Sequence, residues 1–208
     1  MLRRFSPRSR TLFTILLAAA LPLVSEHVLG PLTFNHTNSM PLGFYWRTAV
    51  PISGPHRGDL VIACAPTAFA RFGHEKGFLD VGRCDGASTL LKKVVAVAGD
   101  RVHLDARGVR VNGRFLLGSR PAPVDGAGEV MPHVSYGDYV LSARDVWLAS
   151  PKSKSFDSRY FGPVSSVIAI ARPVLVEERG FPRTASGYAR GRGLGRAARS
   201  RFHRRCGP

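Results

Sequence analysis

Beyond residue 30, the sequence consists of short runs rich in β-branched and aromatic residues, separated by Gly, Pro and Asp. Short runs bounded by turn formers are typical of antiparallel strands. The clearest are LVIAC (60–64), KKVVAV (92–97), RVHL (101–104), VRV (109–111), YVLS (139–142) and VWLA (146–149). A turn over residues 105–108 predicts that two of these runs form a hairpin. No run after residue 30 is long and periodic enough to predict an amphipathic helix, so we expect a mainly β fold.

The positive charge of the chain is concentrated at its two ends. The 208 residues include 30 Lys and Arg against 14 Asp and Glu, which gives a formal net charge of +16. Residues 1–10 hold four Arg and residues 179–208 hold nine Arg, and neither segment contains an acid. The segment between them is nearly neutral and, at about 150 residues, is long enough for one hydrophobic core. We therefore expect a single domain, residues 29–176, between two basic ends, and nucleic-acid binding by this domain has little support.

The N-terminal region has the order of an export signal. A basic n-region, residues 1–10, precedes a stretch without charge from residue 11 to residue 25, and small residues follow. A helix of that stretch would span roughly 22 Å, less than the ~30 Å hydrocarbon core of a bilayer. A cleaved signal and an uncleaved anchor over residues 11–28 both remain open. The arginines should stay cytoplasmic, which directs the rest of the chain to the far side of the membrane.

Residues 177–208 are rich in Gly and Arg and have no helical or strand period, so we expect a disordered basic tail. A solvated tail without a specific partner is the favoured interpretation. The alternatives are binding of anionic lipid headgroups or of nucleic acid. Cys206 lies in this tail and is interpreted as a dispensable thiol.

The sequence offers no recognisable cofactor or metal motif. It contains no HExxH, no CxxC, no GxxxxGK[ST] loop and no GxSxG. We therefore expect neither a metal nor a cofactor.

Three other segments carry residues suited to nucleophilic chemistry. Ser39 precedes Met-Pro-Leu-Gly on a constrained backbone. Lys92 and Lys93 are adjacent in a hydrophobic strand, so they point to opposite faces and one of them should be buried. Burial lowers the pKa of a lysine and makes a neutral amine available as a general base. The third segment, residues 153–163, combines Asp, Ser and Arg with two aromatic residues and could form a dense polar network. Taken singly, the three segments are better interpreted as a turn, a strand edge protected by lysine, and a structural ion pair or turn.

Together and in this order, the segments resemble the type I (leader) signal peptidases of the serine-lysine class, and most closely their conjugative branch, the TraF-type transfer peptidases. Ser39-Met40-Pro41 resembles the nucleophile box, Lys92-Lys93-Val94-Val95 with Gly99-Asp100 resembles the lysine box, and residues 157–162 (DSRYFG) resemble the closing box. The resemblance implies a signal-peptidase-like domain of antiparallel coiled sheets, preceded by an N-terminal membrane-targeting helix.

The resemblance also implies a role for each site residue. Ser39 would be the nucleophile and Lys92 the general base, while Lys93 would take a solvated place. A hydroxyl at Thr37 would assist the oxyanion hole, and the hydroxyl of Ser155 would orient the lysine amine. The remaining supporting residues, which would hold this arrangement together, are Asp157 and Arg159. The chain departs from the leader-peptidase pattern at residues 149–152 (ASPK), which stand near the place of a Gly-Asp-Asn-Arg stretch.

The resemblance implies a serine endopeptidase that cleaves a propilin and, in this branch, passes the acyl group to the substrate's own N-terminal amine to give a cyclic subunit. The expected partners are propilin or another exported protein, the inner membrane and other conjugative transfer proteins. The expected location is the periplasm, in association with the inner membrane. A general leader peptidase and a catalytically inactive assembly factor are the alternatives.

Cys64 ends a predicted strand and Cys84 precedes the lysine strand. In an oxidising periplasm a disulfide between them would close about twenty residues. Two unpaired buried thiols are the alternative.

Overall fold

The computed structural model describes residues 30–177. The basic n-region (1–10), the apolar segment (11–28) and almost all of the basic tail, including Cys206, lie outside the described residues. Within residues 30–177, no helix has the length and apolar character needed to cross a bilayer.

The described chain is mainly β, as the sequence predicts, and its strands pair antiparallel in three sheets. The largest sheet has the order β1 (Leu32–Asn35), β2 (Gly43–Thr48), β12 (Val167–Val176), β3 (Leu60–Ala63), β6 (Leu90–Ala96) and β11 (Trp147–Ala149). The second has the order β10 (Gly137–Val140), β7 (Arg101–Asp105), β8 (Gly108–Val111) and β9 (Arg114–Phe115). A two-stranded sheet pairs β4 (Val81–Gly82) with β5 (Gly86–Ala87).

The predicted hairpin is confirmed by strands β7 and β8. Asp105 pairs with Gly108 at the end of the ladder. The carboxylate of Asp105 accepts hydrogen bonds from the backbone N–H groups of Arg107 (2.8 Å) and Gly108 (3.0 Å). Aspartate commonly closes a turn in this way, by accepting from the backbone two residues further on.

Several elements of the described chain escaped the sequence analysis, among them two helices and the strand β12. The first helix is α1 (Thr67–Glu75), which has only nine residues and is too short to show a clear helical period. It packs through Phe69 and Phe72, whose ring centroids lie 6.2 Å from Phe161 and 6.3 Å from Phe156. A second, four-residue helix, α2 (Ser158–Phe161), lies within the closing box.

Strand β12, the longest of the described strands, was also not predicted, and it lies between β2 and β3. It contains Pro173, a residue that donates no hydrogen bond and is normally confined to strand edges or bulges. The register of β12 against β2 shifts between Pro173 and Leu175, so the proline is accommodated at an irregularity of the ladder.

The large sheet positions the candidate site. Strand β6 lies between β3 and β11, and six of its seven residues are buried. The loop over residues 36–42 connects β1 and β2 and carries Ser39. The segment over residues 150–157 connects β11 to α2. These three elements carry the three motifs singled out in the sequence.

Cys64, which follows β3, is joined to Cys84 by a disulfide across a sequence separation of 20 residues. Closing a loop of this length removes conformational entropy from the unfolded chain and is worth about 3 kcal/mol. We expect the Cys64→Ser/Cys84→Ser double variant to lose about this much free energy of unfolding, measured by urea denaturation. Cys206→Ser is the matched control and should leave the midpoint in place. Equal midpoints for the two variants would contradict the prediction.

Candidate active site

The loop over residues 36–42 carries the predicted nucleophile Ser39, is called the nucleophile loop, and is held in place over its second half. Met40 is 5% exposed and packs in a core cluster with Tyr45. The Tyr45 hydroxyl donates to the carbonyl of Pro41 at 2.7 Å. At the exit from the loop, Gly43 has φ +135°, and a Cβ there would lie 2.1 Å from the carbonyl oxygen of Leu175. Glycine is therefore required where the loop enters β2.

Within this loop, the side chains of Thr37 and Ser39 lie close together. Their hydroxyl oxygens are 3.4 Å apart. The Thr37 hydroxyl donates to the side-chain oxygen of Asn35 at 2.8 Å. Asn35 is the last residue of β1, and the sequence analysis gave it no role.

Lys92 lies on β6 opposite Val61 of β3 and is 3% exposed. Burial lowers its pKa to about 8, because an ammonium group loses its hydration there. The negative charge of Asp157 opposes this shift and the positive charge of Arg159 reinforces it. Near neutral pH, an appreciable fraction of this amine is unprotonated.

Lys93, the next residue, is half-buried rather than fully solvated as the resemblance implied. Burial also lowers the pKa of its ammonium. Lys93 is not among the residues that line the cleft described below.

Asp157 and Arg159 form a wholly buried, bidentate ion pair. Nε of Arg159 donates to Oδ1 of Asp157 at 2.7 Å, and Nη2 donates to Oδ2 at 2.8 Å. Asp157 also caps α2 by accepting from the backbone N–H of Arg159 at 3.2 Å. The guanidinium further donates to the carbonyls of Lys152 (3.0 Å), Ser153 (2.7 Å) and Ser155 (3.0 Å). The pair therefore holds the segment before α2 in place. It also keeps one negative and one positive charge at fixed positions near Lys92.

Ser155 lies on that segment, and its hydroxyl is buried. Its Oγ has no hydrogen-bond partner within residues 30–177, so the structure contains no hydrogen bond from Ser155 to the Lys92 amine. A buried hydroxyl without a hydrogen-bond partner is uncommon.

Ser150 is a residue that the sequence analysis missed. Its hydroxyl donates to the carbonyl of Ser39, 111 residues away, and its backbone N–H donates to Oδ2 of Asp157 at 3.0 Å. Ser150 thereby joins the nucleophile loop to the buried ion pair. It belongs to the stretch in which the chain departs from the leader-peptidase pattern.

A cleft of about 790 Å³ brings the predicted residues together. Thr37, Ser39, Lys92 and Ser155 all line it. Asp157 and Arg159 are buried and act on Lys92 through their charges. His36 also lines the cleft, and its Nε2 lies 3.0 Å from a carboxylate oxygen of Asp80. A serine hydroxyl and an amine of lowered pKa on one cleft are suited to acyl transfer through a covalent intermediate.

A mainly β domain with a serine and a buried lysine on one cleft is the arrangement expected of a serine-type peptidase. The chain belongs to the signal peptidase family, peptidase S26, whose pattern matches residues 8–176. The resemblance stated from the motifs is thus confirmed at the level of the family.

Three relatives match most of this chain over most of their own length. The chain is 37% identical over 162 residues to "Plasmid transfer protein TraF" of Escherichia coli, which covers 76% of this chain and 90% of the relative. It is 39% identical over 178 residues to "Probable conjugal transfer protein TraF" of Sinorhizobium fredii (strain NBRC 101917 / NGR234), covering 83% and 92%. It is 36% identical over 157 residues to "Conjugal transfer protein TraF" of Agrobacterium tumefaciens (strain 15955), covering 74% and 87%.

Proposed function

We propose that this protein is a conjugative transfer serine endopeptidase that cleaves a propilin through an acyl-enzyme, with Ser39 as the nucleophile and Lys92 as the general base. The observation that carries the proposal is the buried Lys92, whose pKa is lowered to about 8, on the same cleft as Ser39. An amine of this pKa is partly neutral at physiological pH, which a general base must be. The similarity to three proteins named for plasmid or conjugal transfer supports the role in conjugation.

The reaction begins when neutral Lys92 takes the proton of the Ser39 hydroxyl and Oγ attacks the carbonyl carbon of the scissile bond. The backbone N–H of Ser39 and the hydroxyl of Thr37 stabilise the negative charge on the carbonyl oxygen. The tetrahedral intermediate collapses, Lys92 passes the proton to the leaving amine, and Ser39 is left as an ester.

The ester is then attacked by a second nucleophile, and Lys92 again acts as the base. Attack by water gives a linear product. Attack by the substrate's own N-terminal amine forms a new amide bond, releases Ser39 and gives a cyclic product. We propose that this cyclisation follows cleavage in this protein.

The proposed location is the periplasm, in association with the inner membrane and the other transfer proteins. The Cys64–Cys84 disulfide supports an oxidising compartment, because structural disulfides are rare in the cytosol. The basic and then apolar order of residues 1–28 supports export with a cytoplasmic N-terminus.

The proposal is tested by incubating the purified full chain with a purified conjugative propilin in detergent and weighing the product by mass spectrometry. We expect a shortened product that is one water lighter than the corresponding linear peptide. A linear product of full mass would contradict cyclisation and leave endopeptidase activity. An intact propilin, with transfer in cells still dependent on the protein, would favour an inactive assembly factor, whereas cleavage of unrelated exported preproteins at similar rates would favour a general leader peptidase.

A further inference from the structure

Asn35 is a buried polar residue at the entrance to the nucleophile loop, and it is 6% exposed. Its amide Nδ2 faces three carbonyl oxygens, those of Thr37 (3.0 Å), Met40 (3.1 Å) and Pro41 (3.0 Å). Its Oδ1 accepts from the backbone N–H of Thr37 at 3.3 Å. Because carbonyls only accept and a backbone N–H only donates, these neighbours fix the orientation of the amide. Asn35 thus holds the backbone on both sides of Ser39.

The same oxygen of Asn35 also determines where the Thr37 hydroxyl points. Oγ1 of Thr37 lies 2.8 Å from Oδ1 of Asn35, which has no hydrogen to donate. The single hydrogen of the Thr37 hydroxyl is therefore directed at Asn35. In this state Thr37 Oγ1 can only accept from Ser39 Oγ, 3.4 Å away.

We propose that Asn35 is a positioning residue for acyl transfer, which fixes the nucleophile loop and holds the Thr37 hydroxyl hydrogen until negative charge develops on the substrate carbonyl oxygen. This inference rests on the proposed function, because it takes Ser39 as the nucleophile. A developing oxyanion accepts a hydrogen bond more strongly than a neutral amide oxygen does. The hydroxyl then rotates from Asn35 to the oxyanion, so its hydrogen bond is stronger in the transition state than in the resting enzyme, as catalysis requires.

Asn35→Asp tests this role, because it keeps an acceptor beside Thr37, adds a negative charge and removes the amide donors. We expect kcat for a purified conjugative propilin to fall on the order of 10-fold or more, with KM changed by less than about twofold. The effect should be several-fold smaller in a Thr37→Val background, which has no hydroxyl, than in a Thr37→Ser background, which keeps one. An equal loss in both backgrounds, or an unchanged kcat in Asn35→Asp, would overturn the proposal.

Amide hydrogen exchange of the full chain provides a readout that needs no substrate. We expect Asn35→Ala to lower the protection of the amides over residues 37–40, because the side chain that holds the backbone of this loop is gone. Asn38→Ala, in the same loop but with an exposed side chain, is the matched control and should leave this protection unchanged. Unchanged exchange in Asn35→Ala would overturn the positioning role, even if wild-type protein processes propilin. A wild-type protein that leaves propilin intact would instead refute the proposed function. The hydrogen-exchange measurement would then still test whether Asn35 holds the loop.

Discussion

Lys92→Met is expected to lower kcat for propilin by on the order of 10²–10⁴-fold, because it removes the proposed general base. Ser39→Ala should abolish processing, because no acyl-enzyme can form without the nucleophile. Both losses are measured by following the shortened product by mass spectrometry over time. Full activity in either variant would refute the assignment of these two residues.

The Lys92→Met variant should remain folded. At neutral pH the buried ammonium is held in the protein at a net cost, which is why the pKa of Lys92 is lowered to about 8. Methionine has a similar length and needs no hydration, so the free energy of unfolding near pH 7 should be unchanged or higher. Lys93→Met is the matched control: it alters the adjacent lysine, which does not line the cleft, and should keep most of the activity.

The pH dependence provides a second check on Lys92. The base is active when neutral, so kcat/KM should rise with pH and level off above the pKa of about 8. The same depressed pKa makes the folded protein release this proton at a lower pH than the unfolded chain. Between about pH 8 and the ordinary lysine value of 10.5, the contribution of Lys92 to stability therefore increases with pH. A profile that levels off near the ordinary histidine pKa of about 6.5 would point to an imidazole instead of Lys92.

The sequence was sufficient where a local pattern determines the structure. Hydrophobic runs bounded by turn formers located six of the twelve described strands. The adjacent lysines within one such run showed that one of the two had to face the interior. Helix α1 was missed because nine residues carry too little periodicity. Strand β12 was missed because Pro173 argues against a central strand until the register shift beside it is known.

The supporting contacts of the site depend on tertiary structure. Ser150 reaches Ser39 across 111 residues, and no local pattern indicates a contact between positions so far apart. The role of Asn35 depends on the orientation of the backbone carbonyls in the nucleophile loop, which the sequence does not show. The motifs thus identified the residues proposed to react. The residues that hold them in place could be identified only from the three-dimensional structure.

Breaking the buried Asp157–Arg159 pair is expected to have the largest effect on stability. Arg159→Met leaves the carboxylate of Asp157, which is 0% exposed, without its partner, and it removes the donors to the carbonyls of residues 152, 153 and 155. Removing one member of a buried ion pair typically costs about 3–5 kcal/mol. The free energy of unfolding from urea denaturation should fall by this amount.

Substituting the two members of this pair should shift the pH profile of kcat/KM in opposite directions. The charge of Arg159 lowers the pKa of Lys92 and that of Asp157 raises it. At a temperature where the variants remain folded, Arg159→Met should move the rising limb of kcat/KM to higher pH, and Asp157→Asn should move it to lower pH. Arg57→Met is the matched control, because it breaks the ion pair with the buried Asp100, and neither residue lines the cleft. It should lower stability without moving the limb, and shifts in the same direction for all three variants would mean that lost stability, rather than charge at Lys92, controls the profile.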